Sequence, residues 1–357
     1  MSKRDHNALA IDFIKEHTEK RASQAQQVLK HICEMSNISQ TQLTSFTAQI
    51  QEQACIAIHF HPYRLNVQGQ SVLELLTESK RYKSQFETNI SNGALDPTTG
   101  GKREQWENLL FGNTYHQSIS LANRPKYGAL DLWRFSDGPA PRFGSCFFVS
   151  KPHLSQYATF TYLDSHLNPD VKGTINCFED ILASLLSEAF ERDFAVGQTN
   201  IRPHQLLDQV SKRLNTSDHF VYQGAPSRNL NHYIEAQIHT DIQLDTDVDY
   251  LVADYAYKHT KYEKDLKLLC EKCEIELIWN KGFQLALVDV PDHFRGKEMP
   301  QVAKEIAINQ SINAYVLAKA EQRYYQAKTD VALLQHQLQQ LKYLWHTLVK
   351  YGVPINL

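Results

Sequence analysis

The spacing of apolar residues changes near residue 55, and this change constrains the fold more than any other feature of the chain. The apolar residues before it recur at helical intervals among Gln, Lys and Glu: Leu9, Phe13, Leu29, Ile32, Leu43, Phe46 and Ile50. After it come short strand-like runs such as ACIAIHF and SCFFVS, separated by clusters of Gly, Pro, Asn and Asp. We therefore predict an α+β fold, with a helical prefix at residues 1–54 and a mixed core after it.

A second helical region follows the core. From about Pro300 the apolar residues again recur every three or four positions, in a Gln-rich background: Val331, Leu334, Leu338, Leu341, Trp345 and Leu348. We therefore divide the rest of the chain into a core at 55–295 and a C-terminal helical region at 296–357. The narrow apolar stripe has two interpretations. We favour packing against the helical prefix, and the alternative is a surface that binds a target protein or self-associates.

Charge and hydropathy argue against several classes of partner. The 357 residues include 37 Lys and Arg against 40 Asp and Glu, so the chain as a whole does not attract nucleic acid or anionic lipid. No apolar run approaches the roughly 20 residues that span a bilayer, and the first residues lack the apolar core of a secretory signal. We predict no nucleic-acid partner, no membrane partner and a cytoplasmic location in the producing cell.

The stretch HFHPYR places two histidines and an arginine at the end of the first predicted strand. His59 and His61 are two positions apart, so on a strand their side chains point to the same side, a spacing that can hold a metal. No third ligand follows nearby, so we predict no bound metal. Arg64 lies just beyond the strand and before a helix predicted to begin at Ser71, which suits bidentate contact with phosphate oxygens.

The stretch SQFETNISNG, which begins at Ser84, carries a polar group at nearly every position. In an extended conformation Gln85 and Glu87 share one face, so an amide and a carboxylate can contact the same ligand. The alternative is an ordinary polar turn in which the carboxylate caps a helix. Both interpretations are consistent with the sequence.

Two further stretches combine polar and aromatic side chains on predicted strands. In RPKYGAL, Arg124 and Tyr127 offer a cation and an aromatic ring to a ligand. In ATFTYL, Thr159 and Thr161 place hydroxyl groups on one face and rings on the other, which is also the pattern of any half-buried strand.

The stretch YIEAQIH places Glu235, Gln237 and His239 on the same face of a late strand. Three successive polar residues on one face are costly to bury unless a ligand or a partner satisfies them. This strand is therefore a strong candidate for a binding site.

These stretches, in this order, resemble a bacterial domain family of unknown function over roughly residues 55–260. The motifs that carry the resemblance are HFHP, SQFETNISNG, RPKYGAL, PRFGSC, ATFTYLDS and YIEAQ. The family in turn resembles mono-ADP-ribosyltransferases of the arginine, serine, glutamate class, some of which are toxins or effectors that act on host proteins. The resemblance implies an ADP-ribosyltransferase-like split β-sheet core, flanked by the N- and C-terminal helices.

The same resemblance implies a glycosyltransferase activity. NAD would be the substrate, and ADP-ribose would pass to a protein acceptor, with arginine as the expected side chain. A host enzyme is one candidate acceptor, and delivery into a host cell is a location consistent with that target.

The resemblance also implies roles for particular residues. Arg64 takes the place of the first-strand arginine that holds the diphosphate, and Ser84 or Ser91 that of the class serine. The class usually carries its catalytic glutamate late, as Glu-x-Glu or Gln-x-Glu, but the late strand here has the reverse order, with Glu235 before the amide. The expected order occurs early instead, ending at Glu87. Both glutamates therefore stay candidates.

We predict Arg64, Glu87 and Glu235 as catalytic residues. The predicted NAD-binding residues are His59, His61, Ser84, Gln85, Ser91, Arg124, Tyr127, Thr159, Thr161 and Gln237. Two other functions stay open. One is a metal-dependent hydrolase built on His59 and His61, and the other is a non-catalytic protein that binds partners through its Gln-rich helices.

Overall fold

The computed structural model describes residues 6–66, 68–90, 100–115, 119–216, 222, 224–327 and 330–355. The helices are α1 His6–Met35, α2 Gln40–Gln53, α3 Val72–Ser79, α4 Gln85–Thr88, α5 Lys102–Leu110, α6 Glu179–Arg192, α7 Pro203–Leu214, α8 Leu244–Asp247, α9 Lys261–Cys273, α10 Met299–Ile306, α11 Ala314–Gln326 and α12 Val331–Tyr351. The strands are β1 Ile56–Phe60, β2 Arg81–Tyr82, β3 Lys126–Leu130, β4 Cys146–Ser150, β5 Ala158–Tyr162, β6 Lys172–Thr174, β7 Phe194–Ala195, β8 Gln198–Thr199, β9 Ile234–Ile238, β10 Ile242–Gln243, β11 Val248–Asp254, β12 Glu276–Asn280, β13 Gln284–Ala286 and β14 Ser311–Asn313.

Eight of these strands form one sheet, in the order β12-β11-β4-β1-β3-β9-β5-β6. Neighbouring strands are antiparallel except for the parallel pair β11 and β12. Strand β9 lies between β3 and β5, with Gln237 opposite Tyr127 on one side and Thr159 on the other. Polar residues from three stretches that are distant in sequence therefore stand in one row across the sheet. The predicted α+β class is confirmed.

The helical prefix packs onto one side of the core. Helix α1 lies against α6 and β6, and α2 packs against α7. A capping box begins α2, in which the Ser39 hydroxyl accepts a hydrogen bond from the backbone N–H of Gln42 and the Gln42 side-chain oxygen accepts one from the backbone N–H of Ser39. The predicted apolar positions from Leu29 to Ile50 are buried, as the helical spacing predicted. Leu9 and Phe13 are exceptions, since they are exposed at 40% and 39%.

The C-terminal helix packs elsewhere than predicted. Helix α12 lies against α10, α11 and a short 3₁₀ turn at Pro141–Phe143. Its second half buries Leu344, Trp345 and Leu348, and the Trp345 indole N–H donates to the carbonyl of Pro141 at 2.8 Å. The prediction that the stripe packs against the prefix is wrong, because these side chains complete the core beside the central sheet.

The helix predicted to begin at Ser71 is present as α3. A capping box formed by Ser71 and Glu74 begins it. Among the residues that the structure describes, no helix combines the length and the apolar character needed to cross a membrane.

Candidate functional site

A cleft opens beside the row of polar residues on β3, β5 and β9. It encloses about 1170 Å³ of empty space, part of it open to solvent. We call it the central cleft, and its lining residues are His59, Tyr82, Gln85, Arg103, Trp106, Lys126, Tyr127, Gly128, Ala140, Arg142, Phe143, Asp164, His166, Glu235 and Lys342. Four Lys and Arg side chains and two carboxylates line the cleft. Arg103 and Lys126 are also paired with Glu107 and Asp241 beside it, so the excess positive charge that favours an anionic ligand lies at Arg142 and Lys342.

Glu235 is the buried carboxylate of the central cleft. Its side chain accepts hydrogen bonds from the Ser165 hydroxyl and, at 3.1 Å, from the Gln237 amide. Burial, and then the neighbouring charge of Asp164, raise the pKa of Glu235 to about 7, against the lowering effect of these two donors. A carboxylate that is only 6% exposed and titrates near neutral pH is a functional-site candidate on physical grounds.

The predicted residues Gln237, Thr159 and Thr161 form a hydrogen-bonded chain beneath Glu235. The Gln237 amide donates to Glu235 and to the Thr161 hydroxyl at 3.2 Å, and its carbonyl accepts from the Thr159 hydroxyl at 2.9 Å. All three side chains are fully buried. They therefore orient the carboxylate from below, because their hydrogen bonds are satisfied within the sheet.

His239 continues this chain away from the cleft. Its Nε2 lies 2.9 Å from the Thr159 hydroxyl, and its Nδ1 lies 2.6 Å from the Tyr115 hydroxyl. Burial lowers the pKa of His239 to about 3, so the imidazole is neutral. The polar side chains predicted on this face of the strand therefore all have hydrogen-bond partners, in a chain that runs from Glu235 to the Tyr115 hydroxyl.

One wall of the cleft is aromatic and cationic. The rings of Tyr127 and Trp106 lie 5.5 Å apart, and the Arg103 guanidinium stands 4.6 Å from the Tyr127 ring and 5.0 Å from the Trp106 ring. The Tyr127 hydroxyl donates to Glu107 at 2.6 Å, which anchors the ring on α5. A fixed pair of rings beside a cation suits a planar ligand group.

Arg124 lies outside this wall. Its guanidinium is buried at 1% exposure, pairs with Glu104 and Glu107, and stands 4.5 Å from the Phe86 ring. Since two carboxylates neutralise it, Arg124 holds α5 and α4 together beneath the wall.

Glu87 is a helix-capping residue in this fold. Its carboxylate accepts from the backbone N–H of Ser84 at 2.8 Å and pairs with Arg81, while Ser84 accepts from the backbone N–H of Glu87. The extended interpretation of this stretch is wrong, since the capping box of Ser84 and Glu87 begins a helical turn, and the capping interpretation is the one observed. Gln85 lines the central cleft, and Ser91 lies outside the described residues.

His59 and His61 are both buried, and their ring nitrogens already face protein groups. His59 Nδ1 lies 3.3 Å from the Gly144 carbonyl, and its Nε2 accepts from the backbone N–H of Ala140 at 3.3 Å. His61 Nδ1 lies 3.3 Å from the Ser145 hydroxyl, and its ring packs against Trp345 at 5.0 Å. In the part of the chain that the structure describes, no three His, Cys, Asp or Glu side chains cluster as metal ligands.

Arg64 lies in a recess at one end of the central cleft. We call it the end recess, and its lining residues are His61, Tyr63, Arg64, Arg142, Phe143, Glu321, Leu341, Lys342 and Trp345. It shares Arg142, Phe143 and Lys342 with the central cleft. Arg64 pairs with the buried Glu321 of α11 at 3.4 Å. The predicted phosphate ligand therefore shares its surroundings with the C-terminal helices.

Several cleft residues escaped the sequence analysis. Arg142 and Asp164 occur within quoted motifs, and they pair at 3.5 Å, but neither motif showed that both face Glu235. Arg103 and Trp106 lie on α5, a segment in which no sequence motif pointed to the site. Lys342 comes from the C-terminal helix, so no local signal could link it to the cleft.

A family described as "Protein of unknown function (DUF3626)" matches residues 55–351, which includes most of the C-terminal helical region and leaves out the helical prefix. No curated protein matches the chain.

Proposed function

This chain belongs to the DUF3626 family, and we propose that it is a mono-ADP-ribosyltransferase that uses NAD as its substrate. The observation that carries the proposal is the buried carboxylate of Glu235, held by Ser165 and Gln237 at the edge of a cleft with cationic and aromatic walls. The finer expectations, a split-sheet transferase fold and an effector role against a host protein, belong to the same proposal.

The chemistry requires a carboxylate at the reacting sugar. Cleavage breaks the bond between ribose C1′ and the nicotinamide nitrogen, and the bonding electrons leave with the neutral nicotinamide. Positive charge develops on the ribose, so an ionised Glu235 stabilises the transition state more than the ground state. The acceptor side chain then bonds to C1′, and its proton passes to a base or to solvent.

The other walls supply binding and orientation. Tyr127 and Trp106 offer rings on which a planar nicotinamide or adenine group can stack. The Gln85 amide oxygen is buried without a hydrogen-bond partner among the described residues, so it is available to a ligand donor. Arg64 keeps its proposed role as a diphosphate ligand.

Asp164 is the second carboxylate that we assign to the reaction. It lines the cleft with Glu235, raises the pKa of Glu235, and accepts a hydrogen bond from Tyr233 at 2.9 Å. A guanidinium acceptor needs a carboxylate to orient it, and Asp164 is better placed for this than Glu87, which caps α4. Arginine is therefore the first acceptor to test.

The test uses the full chain and NAD labelled in its adenine moiety. We expect the wild-type protein to release nicotinamide and to label poly-arginine or an acceptor protein. Glu235→Gln should slow nicotinamide release by about 100-fold or more, because a neutral amide cannot stabilise the ribosyl cation. The matched control is Glu52→Gln, an exposed glutamate on α2, which should behave as the wild type.

Two results would contradict the proposal. One is a wild-type protein that neither releases nicotinamide nor transfers label with any acceptor offered. The other is equal release by the wild type and Glu235→Gln, since the carboxylate would then have no part in the reaction.

A further inference from the structure

Lys342 is an unusual lysine for the surface of a helix. It is half-buried, it lines both the central cleft and the end recess, and it forms no hydrogen bond or ion pair with any residue that the structure describes. By contrast Lys350, on the same helix, is exposed to solvent. A half-buried ammonium without a counter-charge is costly unless a ligand supplies the anion.

The groups around Lys342 are mainly cations. Burial first, and then Arg142, Arg64 and Arg295, lower the pKa of Lys342 to about 8, and Asp164 opposes this effect. Glu321 in the end recess is already paired with Arg64. The positive charge at this end of the cleft therefore exceeds the negative charge that the neighbouring side chains provide.

The arginines at this end of the cleft also have N–H donors without an acceptor. The Nε groups of Arg64 and Arg142 are buried and have no hydrogen-bond partner among the described residues. Arg142 uses one terminal nitrogen to donate to Asn231 at 3.2 Å, and the same nitrogen lies 3.5 Å from Asp164. Buried donors without acceptors indicate a ligand with several acceptor oxygens.

The C-terminal helix is held firmly at this position. Trp345, one turn after Lys342, donates to the Pro141 carbonyl in the 3₁₀ turn that carries Arg142. The His61 ring packs edge-on against the Trp345 ring at 5.0 Å. Lys342 and Arg142 therefore keep a fixed relation to each other across the junction of the cleft and the recess.

We propose that Lys342 and Arg142, with Arg64 in the end recess, form the binding site for the diphosphate of a nucleoside diphosphate group. The C-terminal helix is then part of the substrate site. The identity of the natural ligand as NAD rests on the proposed function, but the anion site itself does not.

ADP tests the site without any reaction, and adenosine is the uncharged comparison. Calorimetry on the full chain should give an ADP affinity about tenfold lower for Lys342→Gln, because a charge-assisted contact with phosphate is lost. Lys342→Arg keeps the charge and should retain most of the affinity. Lys350→Gln, the control on the same helix, should bind ADP as the wild type does, and adenosine binding should be the same in all four proteins.

Arg142→Gln provides a second, independent variant and should also weaken ADP binding by about tenfold. Melting temperatures near that of the wild type would show that each variant is folded. The site is refuted if the wild type does not bind ADP, or if ADP binds folded Lys342→Gln and Arg142→Gln as tightly as the wild type.

Failure of this site and failure of the transferase activity give different results. ADP binding that depends on Lys342, in a wild-type protein that never cleaves NAD, supports the site and contradicts the transferase. Unchanged ADP binding in folded Lys342→Gln and Arg142→Gln, with NAD cleavage that depends on Glu235, contradicts the site and supports the transferase.

Discussion

Glu235 and Glu87 are chemically identical side chains in opposite surroundings. The Glu87 carboxylate is occupied by the Arg81 guanidinium and by the backbone of its own helical turn. The Glu235 carboxylate has neutral donors, a neighbouring carboxylate at Asp164 and little solvent. The comparison teaches that a saturated carboxylate stabilises structure, whereas a desolvated one near a cleft is poised for chemistry.

The largest expected difference between the two glutamates is in activity. Glu235→Gln should lower the rate of nicotinamide release by about 100-fold or more, because charge stabilisation at the ribose is lost. Glu87→Gln should lower it by less than about tenfold, since only the orientation of α4 and Gln85 would change. Single-turnover release of nicotinamide measures both effects. The assignment fails if the two rates are ranked in the opposite order.

The serines beside the two glutamates allow a second comparison, which uses the pH dependence of activity. Activity should rise as Glu235 ionises, with a midpoint near its pKa of about 7. Ser165→Ala removes a hydrogen bond that lowers the pKa of Glu235, so the midpoint should move to higher pH and activity at pH 7 should fall a few-fold. Ser84→Ala should leave the midpoint unchanged. A shift in the Ser84 variant alone would favour Glu87 as the catalytic group.

The two Gln substitutions should have the opposite ranking in the free energy of unfolding, where Glu87→Gln should destabilise the protein more than Glu235→Gln. Glu87→Gln should cost about 1 kcal/mol in the free energy of unfolding, because the ion pair with Arg81 is lost and the capping box is weakened. The folded pKa of Glu235, about 7, exceeds its ordinary value of 4.5, so folding favours the protonated form. The stabilisation that the protonated Glu235 side chain gives to the folded state is complete below pH 4.5, and it is lost as the pH rises through 7.

Glu235→Gln should therefore be more stable than the wild type at pH 8, by on the order of 1–2 kcal/mol, and the difference should shrink toward pH 4. Urea unfolding at the two pH values measures this change. A Glu235→Gln protein that is less stable than the wild type at pH 8 would contradict this expectation. It would show that the hydrogen bonds of the ionised Glu235 carboxylate stabilise the folded state more than its desolvation destabilises it.

A further expected effect on the pH profile concerns the carboxylate beside Glu235. Asp164→Asn removes a negative charge that raises the pKa of Glu235, so the midpoint of nicotinamide release should move to lower pH, opposite to Ser165→Ala. The pH profile of the variant measures the shift. Movement in the same direction as Ser165→Ala would mean that Asp164 acts mainly by holding Arg142.

Short-range interactions decide the parts of the structure that the sequence predicts correctly. The sequence predicted the helical prefix, the helix start at Ser71 and the late strand with Glu235. These predictions were possible because capping and burial periodicity act within a few residues. The sequence also allowed the capping interpretation at Ser84, and that interpretation is the one observed. The extended alternative gave weight to the alternation of polar side chains over a local hydrogen-bonding pattern.

Long-range packing decided what the sequence could not. The amphipathic stripe of α12 showed that the helix has a buried face, but the partner of that face depends on contacts with α10, α11 and the turn at Pro141–Phe143. Its prediction was wrong for this reason. Arg142 and Lys342 likewise meet at one cavity only after the helix is packed.

Residue order alone thus determined the α+β class, the main helices and the strand that carries Glu235, because each depends on short-range hydrogen bonds and on the alternation of apolar side chains. Tertiary structure alone determined that Glu235 faces a cleft and that a C-terminal lysine joins that cleft. The physical reason is that solvent exclusion and charge balance at a site arise from side chains that only packing brings together.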